Sequence, residues 1–210
     1  MNKYINVIGR NAKKASLEKI NRKLKNRVLK RYLLLINKEK NSILRANKKD
    51  VNFAKRKGLK SNLIDRLILD EKKLEDIRKS LAKIIKLKDP VDNVLEKWVR
   101  PNGLHISKVT IPIGVVGVIY ESRPNVTSDV ASLCFKSGNA VILKGGSEAL
   151  NTNKILAKLF RRSLKVSKID ENFIQFIDTK NRKIVDLMLS RWPTIGIFES
   201  FCTLFIRFLP

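Results

Sequence analysis

Three short apolar runs, each followed by a helical repeat, constrain this chain more than any other feature of it. VVGVIY (115–120) is a continuous β-branched run broken by one glycine, the pattern of a strand covered on both faces. Ser128 to Ser137 then reads as a helix capped by Gly138-Asn139. AVILKG (140–145) is a second buried strand. SEALNTNKILAKLFRRSL is a second helix, entered through Ser147 with Glu148 in its first turn. NFIQFID (172–178) is a third strand, and NRKIVDLML begins a third helix. Strand and helix alternating at these spacings predict an α/β fold with an open, parallel, Rossmann-like sheet and right-handed crossovers.

Ahead of that alternation the periodicity is helical. From Ala15 to about Ala54, Leu17, Ile20, Leu24, Val28 and Leu29 repeat at three- and four-residue steps, and Gly58 is a plausible stop. A second block begins at Ser61, where Ile64, Leu67, Ile68, Leu74, Ile77, Leu81, Ile84 and Ile85 trace one apolar stripe that Asp89-Pro90 ends. LHISKVTIPIG alternates over part of its length and carries Pro112, which suggests an edge strand. The expected organisation is a helical N-terminal part (1–97), an α/β domain (98–189) and a tail (190–210). The tail falls outside the rhythm: 5 of the chain's 14 aromatics crowd into it and Lys is absent. It has the length of a membrane span, but Glu199 and Arg207 would each cost about 2.5–3.5 kcal/mol near a bilayer centre. A membrane anchor and an amphipathic helix are therefore weaker readings than an aberrant extension.

The formal charge of +26 needs an account, because a strongly basic surface can bind phosphate backbones through counterion release. Residues 1–60 hold 20 Lys and Arg against 3 Asp and Glu, so the basicity belongs to the N-terminal helices. A nucleic-acid-binding module in residues 1–60 is the alternative reading. Lys outnumbers Arg 30 to 15 and no recognition signature accompanies it, which favours solvated helix faces. Two cysteines, Cys134 and Cys202, are too few for a disulfide framework and too far apart for a metal pattern. No metal, no membrane partner and a cytoplasmic location are expected, since the first residues lack an apolar run of signal-peptide length.

Ligands of open parallel sheets bind beyond the carboxyl ends of the strands, and two strand ends here carry polar equipment. In YESRPNV, Pro124 fixes the backbone so that Asn125 is held at a defined angle. Its carboxamide can donate to a developing oxyanion, or it can cap the following helix. In VILKGGSEA, two glycines permit close backbone approach after Lys144. Lys144 could hold a phosphate or ribose, Ser147 could hydrogen-bond it, and Glu148 could take a ribose hydroxyl. The alternative is a tight strand–helix turn with a solvated lysine.

Residues 100–153, from RPNGLHISKV through YESRPNV to SGNAVILKGGSEALNTN, closely resemble γ-glutamyl phosphate reductase (glutamate-5-semialdehyde dehydrogenase) of the aldehyde dehydrogenase superfamily. KNRVL, ILRANKKDV, GLKSNLIDRL and KDPV look like that family's helical N-terminus. The resemblance implies NADPH-dependent reduction of γ-glutamyl phosphate to glutamate-5-semialdehyde in proline biosynthesis, by a family whose full-length members are homo-oligomers. It implies that Asn125 steadies the oxyanion, that Lys144 lies against the adenosine ribose, and that Ser147 and Glu148 share the cofactor turn. In the family a cysteine thiolate captures the acyl group, and that cysteine lies downstream of the stretch matched here. Cys134 falls at a structural position and Cys202 matches nothing. After IVDLMLS the family continues into a strand and an IPRGG turn, where this chain has RWPTIGIFESF. The expectation is a fragment that cannot turn over by itself.

Overall fold

The computed structural model describes residues 2–190, 196–201 and 203–206. The N-terminal periodicity resolves into separate helices: α1 (Asn2–Ser16), α2 (Arg22–Lys38), α3 (Lys40–Arg56), α4 (Ser61–Leu67) and α5 (Glu71–Lys86). The helical pattern read from 15 to 54 is divided into separate helices for local reasons. Asn21 caps α2 by accepting from the Leu24 N–H at 2.9 Å, and Glu39 ends α2 and starts α3 outside helical geometry, at φ −97° and ψ 16°. Asp70 similarly caps α5, accepting from the Lys73 N–H at 2.7 Å, which divides the second block in two.

Next come β1 (Val94–Val99) and β2 (His105–Val109), an antiparallel ribbon that stands apart from the main sheet. β2 is the extended segment expected around LHISKV, and it stops before Pro112. β1 spans the boundary drawn at 97/98. Its sequence, VLEKWV, is too short and too charged to announce a strand.

The alternation then appears as expected: β3 (Val115–Tyr120), α6 (Pro124–Lys136), β4 (Ala140–Lys144), α7 (Leu150–Val166), β5 (Ile174–Phe176) and α8 (Lys183–Ser190). Every residue of β4 is buried, as a strand covered on both faces requires. Gly138 ends α6 at φ +76°, a left-handed conformation that favours glycine. A Cβ there would stand 2.9 Å from Pro112 Cγ, so the position also lacks room for a side chain.

Two further strands, β6 (Gly196–Phe201) and β7 (Thr203–Ile206), come from the segment read as falling outside the rhythm. β6 pairs in parallel with β3, with Val116 opposite Gly196 and Tyr120 opposite Ser200, and β7 returns antiparallel along β6. Val116-to-Ile119 thus has a partner on each side. Trp192, Cys202, Arg207 and Phe208 lie outside the described residues.

The sheet order is β5-β4-β3-β6-β7. The chain steps outward from β3 to β4 and β5, then crosses back to β6 on the far side of β3. Right-handed crossovers therefore place α6 and α7 on one face and α8 on the other. α2, α3 and α5 pack with α6 and α7, whereas α1 lies against β3, β4, β5 and α8, so the N-terminal helices cover both faces. The core on the α6/α7 side is aromatic. Tyr32 and Phe160 have ring centroids 4.5 Å apart, and Phe135 meets Phe160 and Phe173 edge-on at 5.7 and 5.6 Å.

Candidate functional site

The strand order reverses between β3 and β6, and in open α/β sheets the ligand crevice forms outside the carboxyl ends at such a reversal. A cleft of about 750 Å³ opens there. Its walls are the end of β3 (Ile119 to Arg123), the turn after β4 (Lys144 to Glu148) and the segment after β5, with Leu59, Leu63 and Arg66 closing it from the helical side. Five cations (Arg66, Arg123, Lys144, Lys180, Arg182) line it against three carboxylates (Glu121, Glu148, Asp186). The donor set suits a polyanionic ligand.

Lys144, Ser147 and Glu148 all line this cleft. Lys144 is not a solvated lysine: it is 6% exposed and donates from Nζ to the Gly145 carbonyl at 2.8 Å. Burial lowers its pKa; Glu148 opposes that shift and Arg182 adds to it. Glu148 is held at both oxygens, by Ser147 Oγ at 2.7 Å and Ser122 Oγ at 2.8 Å. Burial alone would raise its pKa. The hydrogen bonds from Ser147, its own backbone N–H and Ser122, together with the charge of Arg182, outweigh that and leave the carboxyl below its ordinary range.

The two glycines are dictated by close approach. A Cβ on Gly145 would sit 2.3 Å from Asn153 Nδ2 and 3.0 Å from the Tyr120 ring, and one on Gly146 would sit 2.5 Å from Ser122 Oγ. Beneath the turn, Tyr120 donates to Thr127 (2.7 Å) and Thr127 to Asn153 Oδ1 (2.9 Å). The start of α7 is fixed from the other side by Asp50 of α3. One Asp50 oxygen accepts from Asn151 N and Nδ2 (3.2 and 2.7 Å), the other from Thr152 N and Oγ1 (2.8 and 2.7 Å). Asn47, one helical turn earlier, bonds Leu67 O, Leu69 N and Thr152 Oγ1. A carboxylate at the helix start satisfies orphan N–H groups and complements the dipole.

Asn125 lies in a neighbouring hollow of about 390 Å³. It occupies the second position of α6, after Pro124, and does not cap the helix; its Nδ2 reaches Asp129 Oδ2 at 3.4 Å. β3 and β4 are paired neighbours, with Ile119 opposite Lys144, so the two polar strand ends stand side by side. Arg66 and Arg123 line both hollows. Asn125 and Lys144 therefore share a rim but not a single cavity. Ser122, Arg182, Asp50 and Asn47 were not singled out from sequence. Ser122 was legible as part of YESRPN, whereas the contacts of Asp50 and Arg182 depend on long-range packing.

Among the described residues no group of three or more His, Cys, Asp or Glu side chains could hold a metal ion. No helix among them is long and apolar enough to cross a membrane. Cys134 is the one free cysteine among them; it packs against the core from α6, and burial pushes its thiol up to about 12.

No family model matches the chain. It is 46% identical over 191 residues to the γ-glutamyl phosphate reductase of Clostridium tetani, covering 90% of this chain and 45% of that protein. It is 45% identical over 187 residues to that of Caldanaerobacter subterraneus, covering 88% and 45%. The crystal structure of γ-glutamyl phosphate reductase from Thermotoga maritima superposes with a TM-score of 0.89 at 36% identity, over 92% of this chain and 48% of that one. The Saccharomyces cerevisiae enzyme does so with a TM-score of 0.84 at 32% identity, over 91% and 50%. A probable aldehyde dehydrogenase from Listeria monocytogenes, 11% identical with a TM-score of 0.68, shares the fold. The chain spans about half the length of the curated relatives it matches.

Proposed function

We propose, on the premise that this chain belongs with the γ-glutamyl phosphate reductases over about nine-tenths of its length, that it builds the NADPH-binding part of such an enzyme. The enzyme would reduce γ-glutamyl phosphate to glutamate-5-semialdehyde and release phosphate. The single observation that carries this reading is the meeting of Lys144, Ser147, Glu148 and Arg182 in one cationic cleft at the reversal of strand order.

Bound in the cleft, NADPH would supply the hydride. The chain's own residues bind and orient. Lys144 neutralises phosphate or ribose-phosphate charge from a buried position, where its interaction is stronger than at an exposed one. Arg182 adds a second cation beside it, which favours the phosphorylated ribose over the plain one. Ser147 offers a hydroxyl. Glu148, held ionised by Ser122 and Ser147, is placed to accept from a ribose hydroxyl. Asn125, on the shared rim, donates its free amide proton to the acyl oxygen as negative charge develops there. A thiolate is also needed to take the acyl group, and Cys134 does not qualify: with its thiol near 12 it is almost wholly protonated at neutral pH. Among the described residues there is no other cysteine, so these residues alone are expected to bind cofactor without turning over.

Quenching of Trp fluorescence by NADPH and by NADH tests the reading. Tighter binding of NADPH, lost at least tenfold in Lys144→Met and reduced in Arg182→Ala, is expected. Equal affinities for the two nucleotides would remove the role given to Arg182. Unchanged affinity in Lys144→Met would remove the site itself. An NADPH-coupled assay with γ-glutamyl phosphate tests the second half, and robust turnover by this chain alone would overturn it.

A further inference from the structure

The hollow that holds Asn125 contains a carboxylate that the fold leaves without a cation. Asp129 lies one turn further along α6 and is half-buried. Its two hydrogen-bond donors are neutral: Ser80 Oγ at 2.8 Å and Asn125 Nδ2 at 3.4 Å. Among the described residues no lysine, arginine or histidine nitrogen comes within 4.0 Å of it, although eight other carboxylates are paired that way. A carboxylate drawn out of water with no opposite charge is a costly arrangement unless something else supplies that charge. Burial indeed raises its pKa, against the hydrogen bonds from Ser80 and Asn125.

The rest of the hollow is mostly cationic: Arg66, Lys73 and Arg123 line it against one further carboxylate, Asp76. Lys73, Ile77 and Ser80 recur at the spacing of one face of α5, and all three line it. Lys73 is pinned by two backbone carbonyls, Asp65 O and Ile68 O, both at 2.8 Å, which leaves one of its three N–H bonds free. Arg66 stands on the rim, and Ile68, Ile77 and Pro124 give an apolar floor. An anion-seeking wall, a cation-seeking carboxylate and a short apolar stretch fit an α-amino acid with a short aliphatic chain.

We infer that this hollow is the subsite for the α-amino-acid head of the substrate, with Asp129 and Ser80 taking the ammonium and Lys73 and Arg66 the carboxylate. The inference rests on the reading of the protein as a γ-glutamyl phosphate reductase and supplies its substrate selectivity. In a γ-glutamyl group three carbon–carbon bonds separate the acyl carbon from the α-carbon. Asn125 and Asp129, adjacent along one helix face, can therefore hold the two ends of one molecule. The head then fixes the acyl carbon at the rim that Asn125 shares with the nucleotide cleft.

Three matched probes test this on the intact chain by ligand-observed and ¹⁵N–¹H NMR: L-glutamate γ-methyl ester, monomethyl glutarate (no ammonium) and methyl 4-aminobutyrate (no α-carboxylate). The ester should bind at least tenfold more tightly than either truncated probe and shift the amides around Asp129. Asp129→Asn should abolish its advantage over monomethyl glutarate, and Lys73→Met its advantage over methyl 4-aminobutyrate. Equal binding of all three, or binding of none, overturns the subsite. The comparison among probes uses the natural chain and so stands even if a variant misfolds. NADPH binding by the same sample separates the two ideas. Intact, lysine-dependent NADPH binding with no preference among the probes sinks the subsite and leaves the cofactor reading standing. Failure of NADPH binding with the probe preference intact sinks the cofactor reading instead.

Discussion

Replacing Asp50 by alanine removes the device that holds the start of α7, and the structure fixes how much that should matter. Asp50 is 3% exposed and accepts four hydrogen bonds. Those from Asn151 are recoverable, because that residue is exposed and water can replace the carboxylate. Those from Thr152 are not, because Thr152 is fully buried: its N–H and hydroxyl would both lose their acceptor, and the hydroxyl would keep only the bond it accepts from Asn47. Each hydrogen bond to a charged group contributes about 1.5–3 kcal/mol, and the two unrecoverable ones dominate. With the lost charge at a helix start, the expected cost is about 3–5 kcal/mol. At a urea slope of about 2 kcal/mol per molar, the unfolding midpoint falls by about 2 M. Asp50→Asn keeps acceptors on one side only and should cost roughly half as much, by the same accounting. Urea titration followed by circular dichroism measures both. A cost below about 1 kcal/mol for Asp50→Ala would show that the start of α7 is held by something other than this carboxylate.

Other consequences follow from the same geometry. Gly145→Ala should destabilise by about 2 kcal/mol or more and weaken NADPH binding, since its Cβ would fall 2.3 Å from Asn153 Nδ2. Gly103→Ala, with nothing within 4 Å of the added carbon but φ at +83°, should cost only the backbone strain of about 1 kcal/mol, read as the difference between the two denaturation curves. Phe160→Ala removes the ring that Tyr32 and Phe135 pack against and should cost about 3–5 kcal/mol by the same titration. Asp129 and Glu148 should respond to pH in opposite senses. Asp129 is raised by burial, so its contribution favours the fold below the ordinary carboxylate range and is lost as pH rises through its folded value. Asp129→Asn should therefore leave stability at pH 7 unchanged or improved, and a clear loss in thermal denaturation would contradict the unpaired-charge argument. Glu148 is depressed, so its contribution is present above the ordinary range and disappears as pH falls through its folded value. Glu148→Gln should accordingly flatten the acid limb of a stability–pH profile.

The α/β alternation was legible because β-branched runs such as VVGVIY and AVILK have no polar face and must be covered twice. The turn after Lys144 was legible for a related reason: paired glycines at a strand end signal close approach, and here that approach is to Asn153, Tyr120 and Ser122. Periodicity overran the helix boundaries because apolar spacing continues through Asn21 and Glu39, where side-chain capping and a local bend decide the outcome. Gly196–Phe201 was misplaced because its aromatic content masks a strand that owes its position to pairing with β3, a long-range interaction. Asp50 and Asn47 looked like ordinary polar residues of a basic helix; only packing against α7 turns them into its cap. Asn125 and Lys144 read as one pair from sequence, and the fold assigns them to adjacent hollows.

The bonds from Asp50 to Asn151 and Thr152 join residues 101 and 102 positions apart, and Arg31 to Ser167 and Glu18 to Asp170 span 136 and 152. A chain closed by such distant ties pays most of its loop entropy before any tie rewards it, which slows folding. During synthesis the opening helices emerge long before the strand and helix that complete them. They are lysine-rich, and self-repulsion within so charged a segment opposes premature association before the later partner arrives.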